Sequence, residues 1–180
     1  GEYVLGALVL SNFGTPEDLV VGGWPVGRYL RPPNADEQRG EELNPSDGSG
    51  SVVIVLATDA PVDARQLRRI AARAVVGIVR CGSRLQHGSG DYVVAFSTGF
   101  RVPHGQAHAY VAPGAAWSDD SPVIANLLLA GGEATEEAVL NSMLQAHTLV
   151  GRDGNVRYAL PVDELTALLR RFDPTIRSTV

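Results

Sequence analysis

Ser51 stands where a run of turn-forming residues, Asn44-Pro45-Ser46-Asp47-Gly48-Ser49-Gly50, gives way to the apolar run Val52-Val53-Ile54-Val55-Leu56-Ala57. A hydroxyl at the mouth of a strand, preceded by glycine, has the makings of a self-cleavage site. The Ser51 hydroxyl would attack the Gly50 carbonyl, the amide would become an ester, and water would release Ser51 as a new N-terminus. Glycine before the broken bond helps, because it adopts backbone conformations that other residues avoid. The freed α-amine has an ordinary pKa of about 7.7–8.0, which burial lowers, so it is suited to act as general base to the hydroxyl of its own residue. The same pattern also describes a plain linker serine, and both readings stay open on the residues alone.

A second pair of chemical groups lies in Gly88-Ser89-Gly90-Asp91, just before the strand-like run 92–97. Residues two apart in an extended chain share a face, so Ser89 and Asp91 would project together. With Ser51 they would supply a hydroxyl relay and a carboxylate to orient an amine; alone they form an ordinary turn with an Asp cap.

Other chemistries are excluded or poorly supported. All 15 basic residues are arginine, so these residues offer no lysine for a Schiff base, a general base or a Walker-type phosphate site. The single Cys81 excludes an internal disulfide and a multi-cysteine metal site. His104 and His108 have the spacing of two ligands on one helical face, but Pro103 and Gly105 oppose a helix and no third ligand accompanies them. Gly48-Ser49-Gly50 leads into a strand, whereas a phosphate cradle needs a helix N-terminus. No metal and no cofactor is expected. The net charge of 15 − 20 = −5 argues against nucleic acid and anionic membrane as partners. The longest apolar run is far too short to cross a bilayer, and without a signal-like start the expected location is the cytoplasm.

The elements that must position these groups read as an α/β domain of 180 residues, 44% hydrophobic and 19% charged. A buried strand is expected over 3–10, ending in the turn residues Ser11-Asn12-Phe13-Gly14, with a second short strand near Leu19–Val21. Residues 31–50 form an exposed linker. Strand 51–58, apolar on both faces, should be covered on both sides. Asp63 caps a helix running to Cys81-Gly82, and strand 92–97 follows. A helix opened by Ser121-Pro122 should stop at Gly131-Gly132, with another starting at Thr135. Asp153-Gly154 makes a tight turn, and Asp163 caps the last helix.

The segment Ser51-Val-Val-Ile-Val-Leu-Ala-Thr-Asp59-Ala-Pro61, then Gln66-Leu67, Arg73-Ala74 and Gly77, resembles the start of the β-chain in the DmpA-like family of L-aminopeptidase/D-esterases and β-peptidyl aminopeptidases. Gly88-Ser-Gly-Asp91 with Ala95-Phe-Ser-Thr98 resembles the next block of that family. Glu137-Ala-Val-Leu-Asn141-Ser, Gln145-Ala146, Gly151-Arg-Asp-Gly154 and Ala159-Leu-Pro161 resemble the last. Val9-Leu-Ser-Asn12-Phe-Gly14 is similar to the end of the family's α-chain.

The resemblance implies a precursor that cleaves itself at Gly50-Ser51. Residues 1–50, including linker 31–50, would belong to the α-chain and 51–180 to the β-chain. It implies a four-layer αββα sandwich like that of N-terminal-nucleophile hydrolases, of which only the C-terminal half is present. Ser51 would be nucleophile and, through its amine, base; Ser89 and Asp91 would assist, and Asn12 would donate its amide to the oxyanion. Several relatives carry asparagine before the cleaved bond where this chain has Gly50. The implied partners are the remaining N-terminal part of its own precursor and further α/β pairs in a homo-oligomer, with a small peptide or amide as substrate. The expected activity is release of N-terminal residues through an acyl-enzyme on Ser51. The alternatives are an amide hydrolase of pantetheine or oligoamide type, or an unprocessed, non-catalytic homologue.

Overall fold

Side chains of the second strand alternate so sharply between buried and exposed that one face of the sheet is defined by them. The computed structural model describes residues 3–30, 50–88, 90–101, 104 and 116–176. Strand β1 spans Leu5–Asn12, β2 Ser51–Thr58 and β3 Gly90–Ser97, forming one sheet in the order β1–β2–β3. At one end, Val4 accepts from Asp59 N (3.4 Å) and from the Thr58 hydroxyl (2.7 Å). The start of β1 thus meets the end of β2, and the two run antiparallel. Thr98 N donates to Thr58 O at 2.9 Å, so β2 and β3 finish together and run parallel. A parallel pair needs a long crossover, and two helices supply it: α1 (Ala64–Ala71) and α2 (Ala74–Arg80).

The chain divides into two compact units: Gly1–Leu10, Val53–Gly77 and Asp91–Ala138 form one, and Ser11–Val52, Ile78–Gly90 and Val139–Val180 the other. In the first, Ile54, Leu56, Ile70, Ala74 and Ile124 are buried. Helix α1 starts as its sequence dictates: the Asp63 carboxylate accepts from Gln66 N (2.7 Å) and Gln66 Oε1 accepts from Asp63 N (3.1 Å), a reciprocal capping box. The single helix expected over 63–81 is two, interrupted at Ala72-Arg73 although neither residue is a helix breaker. The expected stop at Gly131-Gly132 is also absent, because α3 runs unbroken over Pro122–Leu144.

Both corrections lie at one close contact between helices. A Cβ on Gly77 would lie 2.5 Å from Gly132 O and 2.7 Å from Glu136 N, and a Cβ on Gly131 would lie 3.0 Å from Ile70 O. The helices approach at glycine distance, and this packing outweighs the intrinsic cost of mid-helix glycine, about 1 kcal/mol each. Thr135 starts no helix; it is fully buried mid-helix, donating to Gly131 O at 2.8 Å.

In the second unit, Val26, Leu165 and Leu168 form a buried cluster with Leu19, Val21, Leu30 and Leu160 packed around it. Trp24 stacks on Phe172 at 5.0 Å and Tyr29 meets the same ring edge-on at 5.4 Å. No strand forms at Leu19–Val21. Pro16–Asp18 is a short 3-10 turn, and Val21 makes only an isolated bridge to Trp24 around the positive-φ pair Gly22-Gly23. Strands β4 (Leu149–Val150) and β5 (Val156–Arg157) pair antiparallel around Asp153-Gly154, where a tight turn is expected. Helix α4 (Val162–Phe172) follows Pro161, so Asp163 sits inside the first turn, where its charge favours the helix dipole, rather than capping it.

Strand β2 is covered on one side only. Val52, Ile54 and Leu56 are each 1% exposed, whereas Val53 is 41% exposed. Within the first unit, Leu8 and Leu10 of β1 and Tyr92, Val94 and Phe96 of β3 are exposed as well. The expectations that strand 51–58 is covered on both sides and that 3–10 is buried are corrected here: among the described residues, one face of these strands is buried and the other is an open apolar surface. β1 also extends beyond the expected end at Leu10, so that Asn12 is its last strand residue.

Candidate active site

Asn12 closes β1 and Ser51 opens β2, and both are exposed. Alternation puts Asn12 on the side of β1 that carries Leu8 and Leu10, and Ser51 on the side of β2 that carries Val53. The antiparallel pairing brings the two strand ends together. A Cβ built on Gly50 would lie 3.1 Å from Phe13 Cα, 3.2 Å from Phe13 Cβ and 3.3 Å from the Asn12 carbonyl oxygen. The peptide before Ser51 is therefore packed directly on the end of β1, within a single compact unit. Residues 38 apart in sequence, Asn12 and Gly50, become neighbours there.

The end of β1 is itself tied down. The Ser11 hydroxyl lies 3.1 Å from the Ser142 hydroxyl, and Ser142 donates to Val139 O at 2.7 Å in the last turns of α3. Ser11 alternates with Asn12, so this contact holds the strand from the side opposite the Asn12 amide. Neither Phe13 nor Ser142 stood out in the sequence as a positioning residue. Asn141-Ser142 belongs to a block carrying the family resemblance, which was the only signal available.

Asp91, the second residue of β3, is exposed and belongs to the other compact unit. It alternates with Tyr92, on the side of Val93, Ala95 and Ser97. Ser89, His108 and linker residues 31–49 lie outside the described residues. His104 is exposed, and no group of three or more His, Cys, Asp or Glu that could hold a metal occurs among the described residues. No described helix is long and apolar enough to cross a membrane.

Two further features are not catalytic in chemistry. An apolar cavity of about 230 Å³ in the second unit is lined by Val21, Leu140, Met143, Leu144, Leu165 and Leu169, with Leu160 and Thr166. Its hydroxyl, on Thr166, is spent on Val162 O at 2.8 Å. In the first unit, the Arg65 guanidinium grips Asp119 through two bonds of 2.7 and 2.9 Å, and Gln66 donates to the same carboxylate at 3.0 Å. Hydrogen bonds from Arg65 and Gln66 hold the Asp119 carboxyl well below the usual carboxylate range. This cluster fastens the 117–121 segment to α1.

The model of peptidase family S58 matches residues 1–157. A β-peptidyl aminopeptidase of Sphingosinicella microcystinivorans is 37% identical over 95% of this chain and 44% of its own length. A protein of Pyrococcus horikoshii, 45% identical, superposes with a TM-score of 0.76 over 94% of this chain and 43% of its own. The L-aminopeptidase D-Ala-esterase/amidase of Ochrobactrum anthropi is described as a prototype of the serine aminopeptidases and a new variant of the Ntn hydrolase fold. It is 32% identical, with a TM-score of 0.80 over 94% of this chain and 44% of its own. The chain thus spans less than half the length of the relatives it matches, and its α/β architecture is that of the Ntn hydrolase variant.

Proposed function

We propose, on the premise that this chain belongs to peptidase family S58, that it is the C-terminal part of a self-processing serine aminopeptidase or amidase. The observation that carries this reading is the packing of Gly50 on the Asn12-Phe13 end of β1, immediately before the Ser51 hydroxyl.

In the processing step, Ser51 Oγ attacks the Gly50 carbonyl carbon, and the carbon–nitrogen bond breaks. The hydroxyl proton passes to the departing Ser51 nitrogen, leaving an ester. Water then adds to the ester carbonyl, giving Gly50 a carboxylate and returning a proton to Ser51 Oγ. In turnover the free Ser51 amine takes the hydroxyl proton as Oγ attacks a substrate carbonyl, and gives it to the leaving amine. The resulting acyl-enzyme is hydrolysed by the same base. In both reactions the Asn12 amide donates to the developing oxyanion, and Ser89 and Asp91 are the assisting hydroxyl and carboxylate that the family resemblance implies.

The substrate is a peptide, amide or ester with a free amino end, as the relatives' names suggest for those proteins. The remaining N-terminal part of the precursor is the partner that covers the open apolar sheet face. Leu8, Leu10, Tyr92, Val94 and Phe96 are a cost to leave in water at roughly 1.5–3 kcal/mol per fully buried side chain. The test is electrophoresis of the full-length precursor. Wild type should give two chains, the smaller starting at Ser51, and Ser51→Ala should stay as one. A folded wild-type precursor that remains uncut would support the unprocessed alternative instead.

A further inference from the structure

We propose that Ser142 is a positioning residue for the Asn12 amide, acting through Ser11. This rests on the reading of Asn12 as oxyanion donor and adds to it the contact that fixes where the amide points. Asn12 is poorly held by its own strand. It is the last residue of β1, and in the order β1–β2–β3 that strand pairs on one edge only among the described residues. Two residues further on, the chain turns away at Gly14 with a φ of 78°. A strand end of this kind frays unless something else fastens it.

The fastening is a chain of two hydroxyls whose direction is fixed. Ser142 Oγ donates to the Val139 carbonyl at 2.7 Å, a bond back along the last turns of α3. A hydroxyl has one proton, so in the 3.1 Å contact between the two oxygens Ser11 donates and Ser142 accepts. The chain runs from Ser11 through Ser142 to Val139 O, and its base is firm. Val139 is 2% exposed, and Leu140, Met143 and Leu144 line the apolar cavity together with Leu165 and Leu169 of α4. Ser142 stands two positions from Leu140 and from Leu144, about 160° round the helix from both, so the packed side and the hydrogen-bonding side are different. Ser11, Asn12, Ser51, Val139 and Ser142 all belong to one compact unit. Successive strand residues point to opposite faces, so pinning Ser11 on one face sets the direction of the Asn12 amide on the other. Removing the Ser142 oxygen loosens that strand end, in a reaction where a misplacement of about 1 Å costs about a hundredfold.

The experiment measures kcat and KM for an aminoacyl amide with fully processed full-length protein. The variants are Ser142→Ala, Ser11→Ala, Ser142→Thr, Asn12→Ala, and Asn12→Ala combined with Ser142→Ala. Ser142→Ala and Ser11→Ala should each lower kcat about five- to tenfold, with KM and the melting temperature nearly unchanged. Ser142→Thr keeps the hydroxyl and should stay within about twofold of wild type. In the Asn12→Ala background, Ser142→Ala should cost less than about twofold more, because the amide it positions is gone. An equal loss in both backgrounds, or loss of the fold on removing either hydroxyl, would make the contact merely structural and overturn the proposal. So would a kcat for Ser142→Ala within about twofold of wild type while Asn12→Ala is crippled, a result that leaves the oxyanion reading standing. A kcat for Asn12→Ala near that of wild type overturns the oxyanion reading, and the positioning role with it.

Discussion

Replacing Asn12 by alanine should cripple chemistry while sparing the fold. Asn12 is the last residue of β1, exposed, on the open side of the sheet, so truncating it opens no cavity. Surface substitutions of this kind usually change stability by no more than about 0.5 kcal/mol. The amide's proposed partner, by contrast, is the oxyanion formed when Ser51 attacks. Losing one such donor costs about 3–4 kcal/mol of transition-state stabilisation, a drop of about 10²–10³ in turnover. Asn12→Asp keeps the shape but replaces a donor with an acceptor and puts negative charge against negative charge, so it should be at least as damaging.

The assay is steady-state hydrolysis of an aminoacyl amide by processed full-length protein, with conversion of the precursor measured in parallel. The expected pattern is a fall in kcat with KM and the melting temperature nearly unchanged, and slowed conversion of the precursor. A folded Asn12→Ala protein that retains kcat within about threefold of wild type would refute the oxyanion role.

Three other outcomes are expected. Gly77→Ala forces a methyl group to within 2.5 Å of Gly132 O and 2.7 Å of Glu136 N. Overpacking of this kind should destabilise by about 1–3 kcal/mol in a urea titration, and an unchanged midpoint would contradict the close helix contact. Asp119, depressed mainly by its bond to Arg65, stabilises above the ordinary carboxylate value of 3.8 and loses that contribution as pH falls below it. The stability gap between wild type and Asp119→Asn should therefore stay level from pH 7 to about pH 5 and narrow as pH falls through 3.8 and below; a gap that stays constant down to about pH 2 would contradict the ion pair's part. Leu10→Asp should reduce recovery of folded full-length precursor, because it places a charge on the face to be covered, whereas indifference would argue that this face stays open.

Local chemistry was readable wherever the physics is local. Asp63 with Gln66 three residues on is a capping box in sequence and in structure, and Asp153-Gly154 turns a hairpin as those residues should. Long-range packing was not readable. Gly131-Gly132 resembles a helix stop, yet those glycines admit the backbone at Ile70 and Arg73, a contact that no local window contains. The same packing accompanies the break at Ala72-Arg73. Leu19–Val21 has strand composition but finds only Trp24 as a bridge partner. At the candidate site, the Gly50-Ser51 junction announced itself by residue type. Asn12 drew its meaning from the family resemblance, and its approach to Gly50 depends on antiparallel pairing of strands separated by the linker.

The most direct test is sequencing the new N-terminus, with intact masses, of the purified full-length protein. The expected result is one chain beginning Ser51-Val52-Val53 and a second ending at Gly50, accompanying amide hydrolysis that chemical acetylation of the Ser51 amine abolishes. An uncut chain that hydrolyses amides, or an acetylated one that keeps its full rate, would contradict it.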